Sequence, residues 1–313
     1  MPDGSIIFTE RPRKIRIVDV DKGLLQEPLL AIDEVVHRGE GGLLGITLHP
    51  DYSSNHWVYV YYTYQNGGGL VNKVVRFEKN NYGLVNRTTI IDNIPSGFIH
   101  NGGRIKFGPD EYLYITTGDS ANSNLAQKQG SLAGKILRLE DDGTIPENNP
   151  FPDSPVYSLG HRNPQGLAWD DQNRLWSTEH GSSATDELNL IKPGNNYGWP
   201  EIRGDDTATG LETPVIHSGN QTWAPSGAAY LNGSIYYSGL RSQSLYEAEI
   251  EEDNSIELKR HIERNFGRLR GVAVGPDNFL YIFTSNRDGR GVPAEMDDQI
   301  IRINPERLSA PMD

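Results

Sequence analysis

Ile99-His100-Asn101-Gly102-Gly103-Arg104-Ile105-Lys106-Phe107-Gly108-Pro109-Asp110 reads as a polar loop, a short strand and a turn. Arg104 and Lys106 alternate with Ile105 and Phe107, which is the two-residue period of a strand and not the longer period of a helix. Pro109-Asp110 is turn chemistry, because proline presets φ and the aspartate side chain bonds back to the main chain. Tyr112 to Thr117 then returns as a second strand and ends in Gly118-Asp119. The unit is a hairpin with a histidine in the loop before its first strand.

The same unit recurs. Gly42-Leu-Leu-Gly-Ile-Thr-Leu-His-Pro50-Asp51 precedes the strand Trp57 to Thr63, and Gln165-Gly-Leu-Ala-Trp-Asp170-Asp171 precedes Arg174 to Thr178. Ser226-Gly-Ala-Ala-Tyr-Leu-Asn232-Gly233 precedes Ser234 to Ser238, and Gly271-Val-Ala-Val-Gly-Pro276-Asp277 precedes Phe279 to Thr284. The chain opens on half a copy, Pro2-Asp3-Gly4 and then Ser5 to Thr9. Repeats of roughly 45–60 residues, each a small antiparallel sheet, mark a β-propeller. The expected fold is all-β, a six-bladed β-propeller of four-stranded antiparallel blades, forming one domain over residues 1–313. Blades are expected at 1–39, 40–98, 100–160, 161–222, 223–267 and 268–306, with an edge strand and loop over Leu24 to Val36. The first repeat lacks a leading strand of its own, so the first blade is expected to be incomplete at the N-terminus. Gln299 to Asn304 is expected to pair near the N-terminal strands, because bare sheet edges invite aggregation.

Composition narrows the function. The 313 residues include 34 Gly, 19 Pro and 15 Tyr, which suits many turns and many strands. A net charge of −13 argues against a nucleic-acid surface, which needs clustered lysine and arginine. With no cysteine there are no disulfides, thiolate metal sites or cysteine nucleophiles. No apolar run approaches the ~18 residues of a membrane span, and Met1 directly before a Pro-Asp-Gly turn leads to the expectation of no secretory leader in this sequence.

In a propeller the loop before each innermost strand opens onto one mouth. With the turns as a ruler, the residues about eight to ten positions upstream are Glu40, His100, Arg162 with Asn163, Trp223, and Arg268 with Arg270. Any one of them is an ordinary solvated loop residue; all of them at one phase of the repeat suggest a ligand site. Arg162, Arg241, Arg268 and Arg270 suit a small polyanion, since guanidinium groups bind carboxylates and phosphates bidentately. Trp223 suits stacking on a planar ring. His100, expected among these cations, would be held neutral and so competent as a general base; alone, it reads as a rim histidine that only hydrogen-bonds. His161 is a further candidate lining residue, whereas His37, His56, His217 and His261 read as loop or surface residues. Backbone carbonyls at Gly181-Ser182 and the carboxylates of Asp186 and Glu187 suit calcium, which takes oxygen ligands.

Together Glu40-Gly-Gly-Leu-Leu-Gly, His100-Asn-Gly-Gly-Arg-Ile, Gly160-His-Arg-Asn-Pro-Gln-Gly-Leu-Ala-Trp, Thr178-Glu-His-Gly, Asp186-Glu-Leu-Asn-Leu-Ile and Asn196-Tyr-Gly-Trp-Pro resemble the PQQ-dependent soluble glucose dehydrogenase and aldose sugar dehydrogenase family, over nearly the whole chain and in order. The resemblance implies a six-bladed propeller, the cofactors PQQ and calcium, an aldose substrate and an external electron acceptor. It implies His100 as the base, Arg162 beside the quinone, and Asn163 and Gln165 in the cofactor pocket. It also implies Arg268 and Arg270 on the cofactor carboxylates, Gly181 and Ser182 carbonyls at one calcium, and Glu187 with Tyr197 at a second. Glu40 stands where glutamine is usual, Arg241 where lysine is usual, Ser182 for a common proline, and Ser285 for an aspartate. A periplasmic or extracellular monomer or homodimer is expected, without membrane span or nucleic-acid partner. The rival readings are a calcium-dependent propeller lactonase and a non-enzymatic propeller that binds sugar or protein.

Overall fold

The computed structural model describes residues 1–253 and 255–308. Six antiparallel sheets follow one another along the chain. The first holds β1 (Ile6–Glu10), β2 (Lys14–Asp19), β3 (Gly23–Leu24) and β4 (Leu30–Ala31), with β3 and β4 sharing one edge of β2. The second holds β5 (Leu43–Leu48), β6 (Trp57–Asn66), β7 (Gly69–Asn80) and β8 (Gly83–Pro95). The third holds β9 (Ile105–Phe107), β10 (Leu113–Thr117), β11 (Lys135–Leu139) and β12 (Val156–Leu159). The fourth holds β13 (Pro164–Trp169), β14 (Leu175–Glu179), β15 (Glu187–Ile191) and β16 (Ile216–His217). The fifth holds β17 (Pro225–Leu231), β18 (Ser234–Gly239), β19 (Ser244–Ile250) and β20 (Ile256–His261). The sixth holds β21 (Leu269–Val274), β22 (Leu280–Thr284) and β23 (Ile300–Ile303). Strands pair in sequence order within each sheet, apart from β4, which pairs with β2, and the fold is the six-bladed β-propeller that the repeat implies.

The chain packs as two compact units, Met1–Asn163 with Pro193–Pro200, and Pro164–Lys192 with Glu201–Asp313. In the first unit β6 carries the packing. Val58, Val60, Tyr62 and Tyr64 enter one apolar cluster with Ile15, Leu43 and Val75; Tyr59 and Tyr61 enter another with Ile94, Ile105, Ile115 and Leu137. Both faces of that strand are therefore covered, which is what a blade between two others requires. In the second unit β18 does the same, with Ile235 and Tyr237 on one side and Tyr236 on the other.

The first strand of four blades is bulged near its start, between Leu43 and Ile46, Pro164 and Gly166, Pro225 and Ala228, and Leu269 and Gly271. A bulge bends the strand and re-aims what precedes it. What precedes these four are Glu40, Arg162 with Asn163, Trp223, and Arg268.

Three expectations change. β23 pairs with β22, in its own blade, and with no N-terminal strand among the described residues, because its alternating Ile300 to Ile303 continue the blade already begun by β21 and β22. The edge strand expected with a loop over Leu24 to Val36 is two short pieces, β3 and β4, separated at Glu27-Pro28 by a proline that donates no ladder hydrogen bond. The thirteen-residue β8 is an element that the polar run Asn86-Arg-Thr-Thr concealed. No described helix is long and apolar enough to cross a membrane.

Candidate active site

In the first unit, the loop before β9 is held by Asn101, which is 2% exposed. Its Oδ1 accepts from Ser96 Oγ at 2.8 Å and Gly97 N at 3.2 Å, its Nδ2 donates to Gly97 O at 2.9 Å, and its carbonyl accepts from the buried Tyr61 hydroxyl at 2.9 Å. The neighbouring His100 adopts φ 61°, a left-handed conformation rare outside glycine. Glu40 secures it, because Oε2 accepts from His100 N at 2.9 Å. Glu40 thus has one carboxylate oxygen committed to the histidine backbone.

The imidazole Nδ1 lies 2.8 Å from Oδ1 of Asp119, whose side chain is 2% exposed. The histidine expected among cations therefore has a buried carboxylate as its ring partner. The same Oδ1 accepts from Ala121 N at 2.8 Å, and Oδ2 accepts from Trp199 Nε1 at 2.8 Å. Asp119 N donates to Arg162 O at 2.8 Å, which brings Arg162 beside the pair, its guanidinium carbon 5.3 Å from the Trp199 ring centroid. Asn163, 1% exposed, accepts from Gly102 N at 3.0 Å and so latches the histidine loop. Gly118 makes this possible: a Cβ there would lie 2.0 Å from His100 O and 3.0 Å from Asn163 Oδ1. A carboxylate only accepts, so Nδ1 is the donor and Nε2 is the nitrogen left to take a proton.

The second unit gathers the other expected cations. Asp288 Oδ2 accepts from Arg268 Nε at 3.1 Å, Arg268 Nη2 at 2.9 Å and Arg270 Nη2 at 3.1 Å. Burial is the largest single influence and pushes its carboxyl up, but the Arg268 and Arg270 guanidinium groups and the Arg290 N–H together hold it below the usual carboxylate range. Arg268 Nη1 reaches Leu240 O at 3.3 Å, next to the exposed Arg241, whose backbone N donates to Trp223 O at 3.1 Å. Trp223 is 5% exposed and packs against Tyr246 at 5.3 Å and Tyr237 at 5.9 Å. This aromatic core leaves little of the Trp223 ring for the stacking expected from sequence. Gln165 lies half-buried on β13.

The loop after β14 is built around Asp186. Its Oδ1 accepts from Gly181 N at 2.9 Å, and its Oδ2 accepts from Trp223 N at 2.6 Å and Ala224 N at 2.8 Å. Those bonds occupy both oxygens, so the carboxylate suggested as a metal ligand is a backbone clamp. A Cβ on Gly181 would lie 2.0 Å from Ala184 O and 2.5 Å from Thr185 O, so only glycine fits where these two carbonyls close on the turn. Ser182 Oγ accepts from Arg203 Nη1 at 3.0 Å.

Glu187 shares one face of β14 and β15 with Glu179, Ser177 and Asn189, which stand opposite each other as Glu179–Glu187 and Ser177–Asn189. Burial first, and then the Glu179 charge, push Glu187 up to about 8. Ser177 Oγ and Asn189 Oδ1 are buried without a hydrogen-bond partner. Four oxygen-bearing side chains in register, two of them acidic and two with unused oxygens, form a donor set for a hard cation. Tyr197, expected to share this metal, belongs to the first unit, where it stacks on His161 at 4.8 Å. Among the described residues, the one acidic triad close enough to share an ion through side chains alone is Glu249, Glu251 and Glu257. Lys259 already pairs with two of these.

A pH prediction follows from Glu187. Between its ordinary 4.5 and about 8, the unfolded chain has lost this proton while the folded chain retains it. The metal-free protein should therefore lose stability as pH rises through that window. Glu187→Gln should flatten the loss, and calcium should raise the melting temperature more at pH 8 than at pH 5. Thermal denaturation with and without chelator measures both; a slope unchanged by the substitution would remove the argument.

Two histidines are not where the sequence suggested. His161 is fully buried with Nε2 2.8 Å from Ser158 Oγ, in the core and not lining the site. His261, read as a surface residue, lies on β20 with Nε2 2.7 Å from Glu247. Sequence reading missed Asp119, Trp199, Asp288 and Glu179. A signal existed for the first: His100 stands nine residues before Pro109, and Asp119 nine after Asp110, so the hairpin brings both to the same end.

A family model described as Glucose / Sorbosone dehydrogenase matches residues 1–301. The aldose sugar dehydrogenase YliI of Escherichia coli is 31% identical over 92% of this chain and 86% of its own length. The quinoprotein glucose dehydrogenase B of Acinetobacter calcoaceticus is 34% identical over 65% of this chain and 49% of its own. Among solved structures, the PQQ-bound form of the aldose sugar dehydrogenase of Streptomyces coelicolor is 43% identical, with a TM-score of 0.91 over 96% of this chain and 91% of that one. With a histidine on a buried aspartate beside an arginine on a six-bladed propeller, and matches of this extent, the chain belongs to the glucose/sorbosone dehydrogenase family and is an enzyme of the oxidoreductase class.

Proposed function

We propose that the protein oxidises aldose sugars at C1 to the lactone, with PQQ and calcium as cofactors, and passes two electrons to an external acceptor. The observation that carries this reading is the His100 Nδ1–Asp119 contact at 2.8 Å, with Arg162 bonded to the same aspartate through its backbone. Asp119 orients the imidazole so that Nε2 faces away from the carboxylate and accepts the proton of the anomeric hydroxyl. That proton transfer pushes the hydroxyl electrons towards the carbonyl, and the C1 hydrogen leaves with its electron pair. Bound PQQ would supply the two-electron acceptor for that hydride, and calcium would polarise it.

The residues present suit these groups. Arg162, and in the second unit Arg268 and Arg270, bring guanidinium groups suited to carboxylates. The carbonyls of Gly181 and Ser182 are assigned to one calcium by resemblance, and the face bearing Glu187, with the unused oxygens of Ser177 and Asn189, suits a second ion. Homologues that are aldose and glucose dehydrogenases support the substrate class. Family members act outside the cytoplasm by resemblance, and the same location is proposed here.

The test is reconstitution of the full chain with PQQ and calcium, followed by dye reduction with a panel of aldoses. Turnover with at least one aldose, lost on omission of PQQ, is the expected result. No dye reduction with any aldose would sink the proposal.

A further inference from the structure

We propose that Trp199 is a positioning residue that fixes the aim of the His100–Asp119 pair and ties it to Arg162. The inference rests on the catalytic reading above for its kinetic arm alone. Trp199 lies 80 positions beyond Asp119 in the chain, yet its indole N–H donates to Asp119 Oδ2 at 2.8 Å. The rotation of a carboxylate about its last side-chain torsion is soft. A donor fixed on Oδ2 is what determines where Oδ1 points, and Oδ1 is the atom on His100 Nδ1. The face of the same indole lies against the Arg162 guanidinium at 5.3 Å. One side chain therefore touches the partner of the base and the arginine assigned to the cofactor.

The indole is itself held with unusual care. Trp199 N donates to Gly160 O at 2.9 Å, and Trp199 O accepts from Gln127 Nε2 at 2.7 Å. Gln127 and Asn196 pair through both amides, Nε2 to Oδ1 at 3.0 Å and Nδ2 to Oε1 at 2.7 Å. Asn196 Oδ1 also accepts from Gly198 N at 3.0 Å. The segment carrying Gln127 is anchored in turn by Lys135, whose fully buried ammonium donates to Leu125 O, Ala126 O and Ala133 O at 2.7–3.0 Å. A surface tryptophan that merely covered apolar side chains would not need this framework. Asp119 meets His100 Nδ1, Trp199 Nε1, Ala121 N and the Arg162 backbone, and the indole N–H is a donor on Oδ2 that a single side-chain change removes.

Two substitutions separate the two contacts. Trp199→Phe keeps a ring under Arg162 and deletes the N–H; Trp199→Ala deletes both. In the holoenzyme, Trp199→Phe should lower kcat about tenfold, as loss of an orienting partner does. Sugar KM and PQQ affinity should stay within about twofold, since the cation–π contact survives. Trp199→Ala should show the same kcat loss and, in addition, PQQ affinity weaker by about threefold. The second readout needs no turnover. In the full chain labelled with ¹⁵N-histidine and without cofactor, the His100 ring nitrogens should report a single Nδ1–H tautomer in the wild type and a mixture in Trp199→Phe. Unchanged ring shifts in Trp199→Phe would overturn the proposal, as would kcat and PQQ affinity falling together in that variant. A wild-type chain inert towards aldoses would overturn the functional reading and leave this one to be decided by the tautomer.

Discussion

Replacing His100 with asparagine should lower kcat for aldose oxidation by roughly 10²–10⁴-fold, the usual contribution of a general base, with PQQ binding retained. Asparagine is the informative choice because of the backbone. His100 sits at φ 61°, where alanine would add left-handed strain and asparagine adds little. The amide also fills part of the imidazole volume, so Asp119 is not left facing a void. Asparagine cannot take the anomeric proton, because its oxygen is a very weak base. Arg162 and Asn163 are untouched, and they keep their contacts with Asp119 N and Gly102 N. The expected signature is therefore a fall in kcat and in kcat/KM together, which marks an interaction made in the transition state. PQQ affinity can be followed separately by titration of the metal-loaded protein. Turnover within about threefold of the wild type would remove His100 from its role, since a general base is worth far more than that.

The fold was legible because turn chemistry is local. Pro109-Asp110, Asp170-Asp171 and Pro276-Asp277 carry their own instruction, and the strands on either side alternate with a period that admits one reading. The same ruler found Glu40, His100 and Arg162, which the structure joins through Asp119 and the His100 backbone. It looked only upstream of each turn. A hairpin is antiparallel, so residues equally far downstream return to the same end, and Asp119 was missed for want of that step. Trp199 lay beyond any such rule. Its bond to Asp119 spans 80 residues and depends on how the Gln127 segment packs, which is a tertiary fact. Trp223 shows another limit: an aromatic at the right phase suits a ligand platform, and its packing on Tyr237 and Tyr246 is not visible from spacing. Spacing locates a residue in the blade; it does not say which neighbours have filled its contacts.

Asp186 makes that distinction measurable. By spacing its carboxylate suits calcium; by geometry it is a clamp that joins the Gly181 turn to the start of β17. Asp186→Ala should destabilise the metal-free protein by about 4 kcal/mol, since one buried and two part-buried N–H groups lose their acceptor at about 1–3 kcal/mol each and water recovers part of the cost. The melting temperature should fall by on the order of 10 °C, given about 2–4 °C per kcal/mol for a chain of this class. Asp186→Asn keeps one carbonyl acceptor and should lose roughly half as much, because its NH₂ group faces donors. The comparison with Glu187 decides the assignment. A ligand carboxylate freed of its repulsive partner should leave the metal-free protein no less stable, so Glu187→Gln should cost nothing there while abolishing the calcium-induced rise. Asp186→Ala should do the reverse, with a large loss in chelator and a calcium increment close to that of the wild type. If Asp186→Ala instead left the chelator-treated protein as stable as the wild type and erased the calcium response, the carboxylate would be a ligand after all. The three backbone bonds would then be a consequence of its placement and not the reason for it.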